Sequence, residues 1–161
     1  MCIRDREWGF EKTLGESLML GAVFDRDYRC DEEIAAIREE LKQSLKLVHF
    51  HGRKELENYL LIPVVLDRVI RKKVRDFAHQ RDIEVPETMP SSEILLKITE
   101  PMRANVQAQY IDNRVRYLGG ARVHNSTITG DSIRIFDAKW RLLDTRLEIV
   151  PGKQTFSELN R

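Results

Sequence analysis

Ser17 is followed by Leu-Met-Leu-Gly-Ala-Val-Phe, an uncharged run ending at Phe24, and then the chain meets Asp25. A wholly apolar run this short, stopped by a charge, predicts a central strand of a parallel sheet, covered on both faces. The carboxyl ends of such strands are where α/β sheets bind ligands, so the residues just after Phe24 are the first candidates for function. A helix is expected next. Asp31 is placed to cap it, Glu32 and Glu33 suit its first turn, and Ile34, Ile37, Leu41 and Leu45 form an apolar stripe. A second strand is expected over residues 46–51, turning at Gly52-Arg53-Lys54.

The chain then changes character. Two long helical stretches are predicted, about 56–80 and 92–118, parted by a segment with Pro86 and Pro90 that no helix continues through. The first turns basic through Arg68, Arg71, Lys72, Lys73 and Arg75, and the second spaces Ile94, Leu95, Ile98, Met102, Val106, Tyr110 and Val115 at near-helical intervals. Gly119-Gly120 ends it. A surface loop over 121–129 and an amphipathic stretch around Phe136 and Trp140 are expected to follow, then an alternating strand over 146–150, a Pro151-Gly152 turn and a helix from Lys153. Upstream, residues 8–16 read as the end of a helix, and residues 1–6 as a non-native leader with no periodicity. The division is therefore a core over 7–54, a helical insertion over 55–120 and a segment over 121–161 that completes the core. The fold class is α/β.

With 27 Lys and Arg against 26 Asp and Glu, net charge names no partner, and any attraction to nucleic acid must be local. Cys2 and Cys30 form no CxxC pair and no zinc spacing, which fits a reducing cytoplasm. The longest apolar stretch, residues 59–66, is broken by Pro63 and is far short of the roughly 20 residues that span a bilayer.

Chemistry is concentrated in two segments. In Val-Phe-Asp25-Arg26-Asp27-Tyr28, a continued period of two sends Asp25 and Asp27 to one side of the chain at the strand's end. Magnesium takes hard oxygen ligands and needs only one or two carboxylates besides a substrate phosphate. Asp-x-Asp alone is more often a solvated turn. After the second strand, His-Gly-Arg-Lys-Glu55-Leu-Glu57-Asn58-Tyr59-Leu60-Leu61 places Glu57 as a third candidate ligand; equally, Glu55 and Glu57 merely favour a helix start. Arg26, Arg29, Arg53 and Lys54 flank these carboxylates as candidate phosphate contacts, although such clusters are usually solvated. His49, His51 and His124 have no Ser or Asp at a triad spacing, and the aromatic stripes read as core.

The segments Asp-Arg-Asp-Tyr-Arg and Arg-Lys-Glu-Leu-Glu-Asn-Tyr-Leu-Leu, with Pro151-Gly152-Lys153, resemble the Toprim domain of OLD (overcoming lysogenization defect) family ATP-dependent endonucleases. The resemblance implies a Toprim-like, Rossmann-like parallel sheet carrying a helical insertion. It also implies cleavage of DNA with Mg2+ or Mn2+ held by Asp25, Asp27 and Glu57, Lys153 close to the scissile phosphate, and Glu55 supporting the ligands. An ATPase domain on the same polypeptide, a homodimer and a role in phage defence belong to the same implication. No Glu-Gly strand precedes Asp25 and no Gly-x-x-x-x-Gly-Lys-Ser/Thr loop is present, so the first strand of the Toprim sheet and the ATPase are both expected to be missing. The alternatives are a Toprim-like module that binds nucleic acid without cutting it, and a protein-interaction domain working through its helical insertion.

Overall fold

The computed structural model describes residues 19–119 and 123–160; the expectations for residues 1–16 and for the first part of the 121–129 loop lie outside them. The chain is α/β and mostly helical. Strand β1 (Gly21–Phe24) leads to helix α1 (Asp31–Leu41) and strand β2 (Leu47–Phe50). A 3-10 turn, Leu56–Leu60, opens the helical part: α2 (Pro63–Arg81), α3 (Ser91–Thr99), a second 3-10 turn (Glu100–Met102), α4 (Arg103–Leu118), α5 (Asn125–Arg141), α6 (Leu143–Ile149) and α7 (Gly152–Leu159).

The two strands pair in parallel, from Gly21 opposite Leu47 to Phe24 opposite Phe50, and backbone bonds from Lys46 to Leu20 and from His51 to Phe24 extend the ladder at both ends. A Cβ on residue 21 would sit 3.1 Å from Leu47 Cβ, so glycine suits this close approach of the strands. The expectation that β1 is buried on both faces is corrected. Among the described residues the sheet has two strands, and Val23 and Leu47 are exposed. On the covered side Phe24 and Phe50 stack at 4.9 Å.

Helix starts follow local chemistry. Cys30, not Asp31, occupies the position before α1 with extended backbone, while Asp31, Glu32 and Glu33 fill the first turn and Asp31 pairs with Arg26. α2 opens on Pro63, whose missing N–H costs nothing there, and closes at Asp82 in the left-handed region (φ 52). The helix predicted over 92–118 is interrupted at Pro101, which forces the 3-10 turn between α3 and α4. Residues 125–129, expected in a loop, form the first turns of α5.

Of the strand predicted over 146–150, residues 146–149 are helical, in α6, and Val150 follows with extended backbone. Alternation across five residues was the only basis for a strand, and a longer period wins: Leu147 and Val150 join Leu143 on the core. Arg146, outward-facing in a strand, is buried here, where its guanidinium donates to the Trp140 carbonyl (2.8 Å) and Glu100 (3.0 Å) and lies over the Trp140 ring. The main core is therefore interhelical. Phe136 stacks on Trp140 (5.2 Å) and meets Tyr110 (5.9 Å), and Leu61, Leu95, Val106, Leu147 and Val150 close around them. Each such fully buried apolar side chain contributes roughly 1.5–3 kcal/mol.

Candidate functional site at the ends of the parallel strands

Four separate segments meet beyond the carboxyl ends of β1 and β2. Asp27 N–H donates to the Lys54 carbonyl (2.9 Å), and Lys54 N–H donates to the Glu148 carbonyl at the end of α6 (2.7 Å). Side chains reinforce the junction. The Leu56 N–H donates to Asp25 Oδ1 (3.1 Å), which ties the backbone just before Glu57 to Asp25 at the sheet terminus. The Lys153 N–H donates to Glu55 Oε2 (3.0 Å), and Lys153 Nζ stands 3.9 Å from Glu57 Oε1. Asp25, Glu55, Glu57 and Lys153, chosen from sequence, are thus linked in one chain of contacts.

Asp27 departs from it. Its φ of 51 puts it in the left-handed region, which aspartate tolerates better than most residues, so the period of two that was to align it with Asp25 ends one residue earlier. Its carboxylate pairs instead with Arg29 (2.8 Å), whose guanidinium also donates to the Asp25 carbonyl (3.2 Å).

Glu55 is the best-held carboxylate of the group, 13% exposed between the Lys54 ammonium and the first turn of α7. Burial raises its pKa, but the bond to Lys54, the Lys153 N–H and the two lysine charges outweigh burial and hold the carboxyl below its ordinary 4.5. A depressed folded value means that the stabilisation is complete above the unfolded value and is lost as pH falls through the folded one. Glu55→Gln, which keeps an oxygen for the Lys153 N–H, is therefore expected to melt lower than wild type near neutrality and to lose less stability below about pH 4.5. Thermal melts of both proteins from pH 7 to 3 check this; parallel curves would remove Glu55 from the acid response.

Each flanking cation already has a task in the fold. Arg26 pairs with Asp31, and Arg29 with Asp27 and Glu33. Arg53 donates to the Asn58 carbonyl (2.5 Å) and lies over the Tyr59 ring. Lys54 is half-buried between Glu55 and the ring of Tyr28. Lys153 differs, with a side chain 70% exposed and only the long contact to Glu57.

Sequence reasoning missed Asn58, the pin of the junction. It is fully buried, its amide donates to the carbonyls of Leu147 and Val150 (both 2.8 Å), and its Oδ1 accepts the Glu55 N–H (2.9 Å). A Cβ on residue 152 would lie 2.8 Å from Asn58 Oδ1, so Gly152 is required by this approach. The only signal was an uncharged polar residue between Glu57 and the apolar Tyr59-Leu60-Leu61. Tyr28 was also missed: its hydroxyl is buried without a partner among the described residues, and burial, with the charges of Glu55 and Asp27, pushes its pKa well up. It lines a cleft of about 400 Å³ beside the junction, where four cations face four carboxylates.

The donor set decides what a metal would find. Among the described residues no three His, Cys, Asp or Glu side chains are grouped to hold an ion, so a closed site made by protein alone does not fit. Asp25 retains one oxygen outside the bond to Leu56, and Glu57 has only its long contact to Lys153. Hard carboxylate oxygens of this kind are what magnesium or manganese takes when a phosphate and waters complete its shell. No protein-family model, curated protein or solved structure matches the chain. No helix among the described residues is long and apolar enough to cross a membrane.

Proposed function

We propose that the chain is the core of a Toprim-type, metal-dependent DNA endonuclease of the OLD kind, hydrolysing a phosphodiester beyond the strand ends and acting in concert with an ATPase domain. The observation that carries the reading is that Asp25, bonded to the backbone beside Glu57, and Lys153, 3.9 Å from Glu57, come from three separate segments to the carboxyl end of a parallel strand pair. Asp25 and Glu57 are the residues that hold Mg2+ or Mn2+, which when bound supplies Lewis-acid stabilisation of phosphoryl charge. Glu55 fixes the start of α7, and so the position from which Lys153 extends. The Lys153 ammonium is free to move from Glu57 to a phosphate oxygen and to offset negative charge as it develops there.

Asp27's pairing with Arg29 and the lack of a three-carboxylate group favour a second reading, a module that binds nucleic acid without cutting it. Nicking of supercoiled plasmid in Mn2+ or Mg2+, beside Mn2+ binding followed by electron paramagnetic resonance with a short duplex present, separates the two. Under the nuclease reading, wild type nicks with metal and not with chelator, and Asp25→Asn and Glu57→Gln each weaken Mn2+ binding at least about tenfold and lower nicking at least about 100-fold. Duplex binding without nicking, with Mn2+ affinity the same in all three proteins, would transfer the assignment to the binding module.

A further inference from the structure

Helix α2 holds six Lys or Arg against two Asp, a net +4 in a chain whose total is +1, so everything else sums to −3. Its inward stripe, Leu66, Ile70, Val74 and Ala78, is buried or half-buried. Arg68, Arg71, Lys72 and Arg75, at i, i+3, i+4 and i+7, share a second face of the helix, all exposed, and alone line an open depression of about 510 Å³. Among the described residues no carboxylate lies within ion-pair distance of any of the four, whereas the cations near the strand ends are almost all paired within the fold. Like charges three and four apart repel one another along a helix; Asp67, which feels the Arg71 charge and whose carbonyl accepts from its guanidinium (3.2 Å), and Asp76 offset only part of this, so a partner that brings negative charge in a row would relieve the rest.

We propose that this outer face of α2 is a binding surface for the phosphate backbone of duplex DNA. The four cations span about 10 Å of helix, close to the roughly 12 Å width of a major groove, so they can reach phosphates along it. A membrane surface fits less well. An interfacial helix needs one broad apolar face free for lipid, whereas the inward stripe of α2 is packed on the fold and its exposed apolar residues, Val64, Val65, Val69 and Phe77, are interspersed with charges. The surface contributes affinity independent of base sequence and needs no hydrolysis, so it stands or falls separately from the metal site.

The test is binding of a fluorescent 20-base-pair duplex in chelator, with no cleavage possible, from about 50 to 200 mM salt. It uses the whole chain, a variant Arg68→Gln/Arg71→Gln/Lys72→Gln/Arg75→Gln, and a control of equal net charge, Lys46→Gln/Lys97→Gln/Arg116→Gln/Arg141→Gln. Each phosphate contact contributes about 0.9 to the log–log salt slope. Over that range wild type is expected to lose about 100-fold more affinity than the α2 variant, while the control follows wild type. Glutamine keeps helix propensity and removes the repulsion, so the α2 variant should show unchanged helicity and an unchanged or higher melting temperature. Equal slopes for wild type and the α2 variant, equal losses in the two variants, or a loss confined to anionic phosphatidylserine vesicles would each overturn the proposal.

Discussion

Asn58→Ala is expected to lower the free energy of unfolding by about 3–5 kcal/mol, the largest stability effect of any single substitution at the strand-end junction. The side chain is fully buried and makes three hydrogen bonds of 2.8–2.9 Å, two to carbonyls of the equally buried Leu147 and Val150 and one from the Glu55 N–H. Truncation leaves all three backbone groups without their partner, each at about 1–3 kcal/mol, in a space too closed for bulk water. At this chain length each kcal/mol moves the melting point by about 2–4 °C. Denaturant melts should show the midpoint falling with little change in slope. Asn58→Asp distinguishes chemistry from volume: it keeps an acceptor for Glu55 but turns a carboxylate toward two carbonyls, so it should be at least as damaging as alanine. A cost under about 1 kcal/mol for both variants would mean that α6 and α7 are held by their apolar contacts alone.

That pin also explains which features could be read from the chain. The β1–α1–β2 unit was legible because its signals are local: an apolar run halted by Asp25, acidic residues in one helical turn, and a second short run with β-branched and aromatic members. Exposure of β1 was not legible, because a run of apolar residues reports what a strand could bury and says nothing about whether other elements lie against it. Asp27 shows the same limit on a smaller scale. Period two holds only while the backbone is extended, and the left-handed turn at this residue depends on partners at Lys54 and Arg29. The 146–150 segment was misread because five residues fit both periods. What decided it was a buried arginine whose acceptors sit at Trp140 and Glu100, the latter 46 positions away. Asn58 and Gly152 are conspicuous only once Leu147 and Val150 are known to face them, across separations of 89 and 92.

Under the nuclease reading proposed above, Lys153→Met is expected to lower the rate of metal-dependent nicking by about 100- to 1000-fold, the range typical of losing one group that stabilises transition-state charge. The substitution is chosen to leave the architecture alone. What ties residue 153 to the junction is its backbone N–H on Glu55, which methionine retains, while the lysine side chain is 70% exposed with a single contact of 3.9 Å. Melting temperature should stay within about 2 °C of wild type, as for most exposed substitutions. Mn2+ affinity should be unchanged or slightly higher, because the ammonium that competes for Glu57 is gone. Rate and binding should therefore separate. If Lys153 acts on charge that develops during cleavage, the maximal rate falls while the DNA concentration giving half-maximal rate moves little; if it only attracts the backbone, that concentration rises and the maximal rate survives. Lys153→Arg sharpens the distinction, since arginine preserves attraction to phosphate but presents a planar fork in place of a compact ammonium, and should recover binding more fully than rate. Full nicking by Lys153→Met would assign this lysine to the helix start and leave Asp25 and Glu57 as the whole of the site.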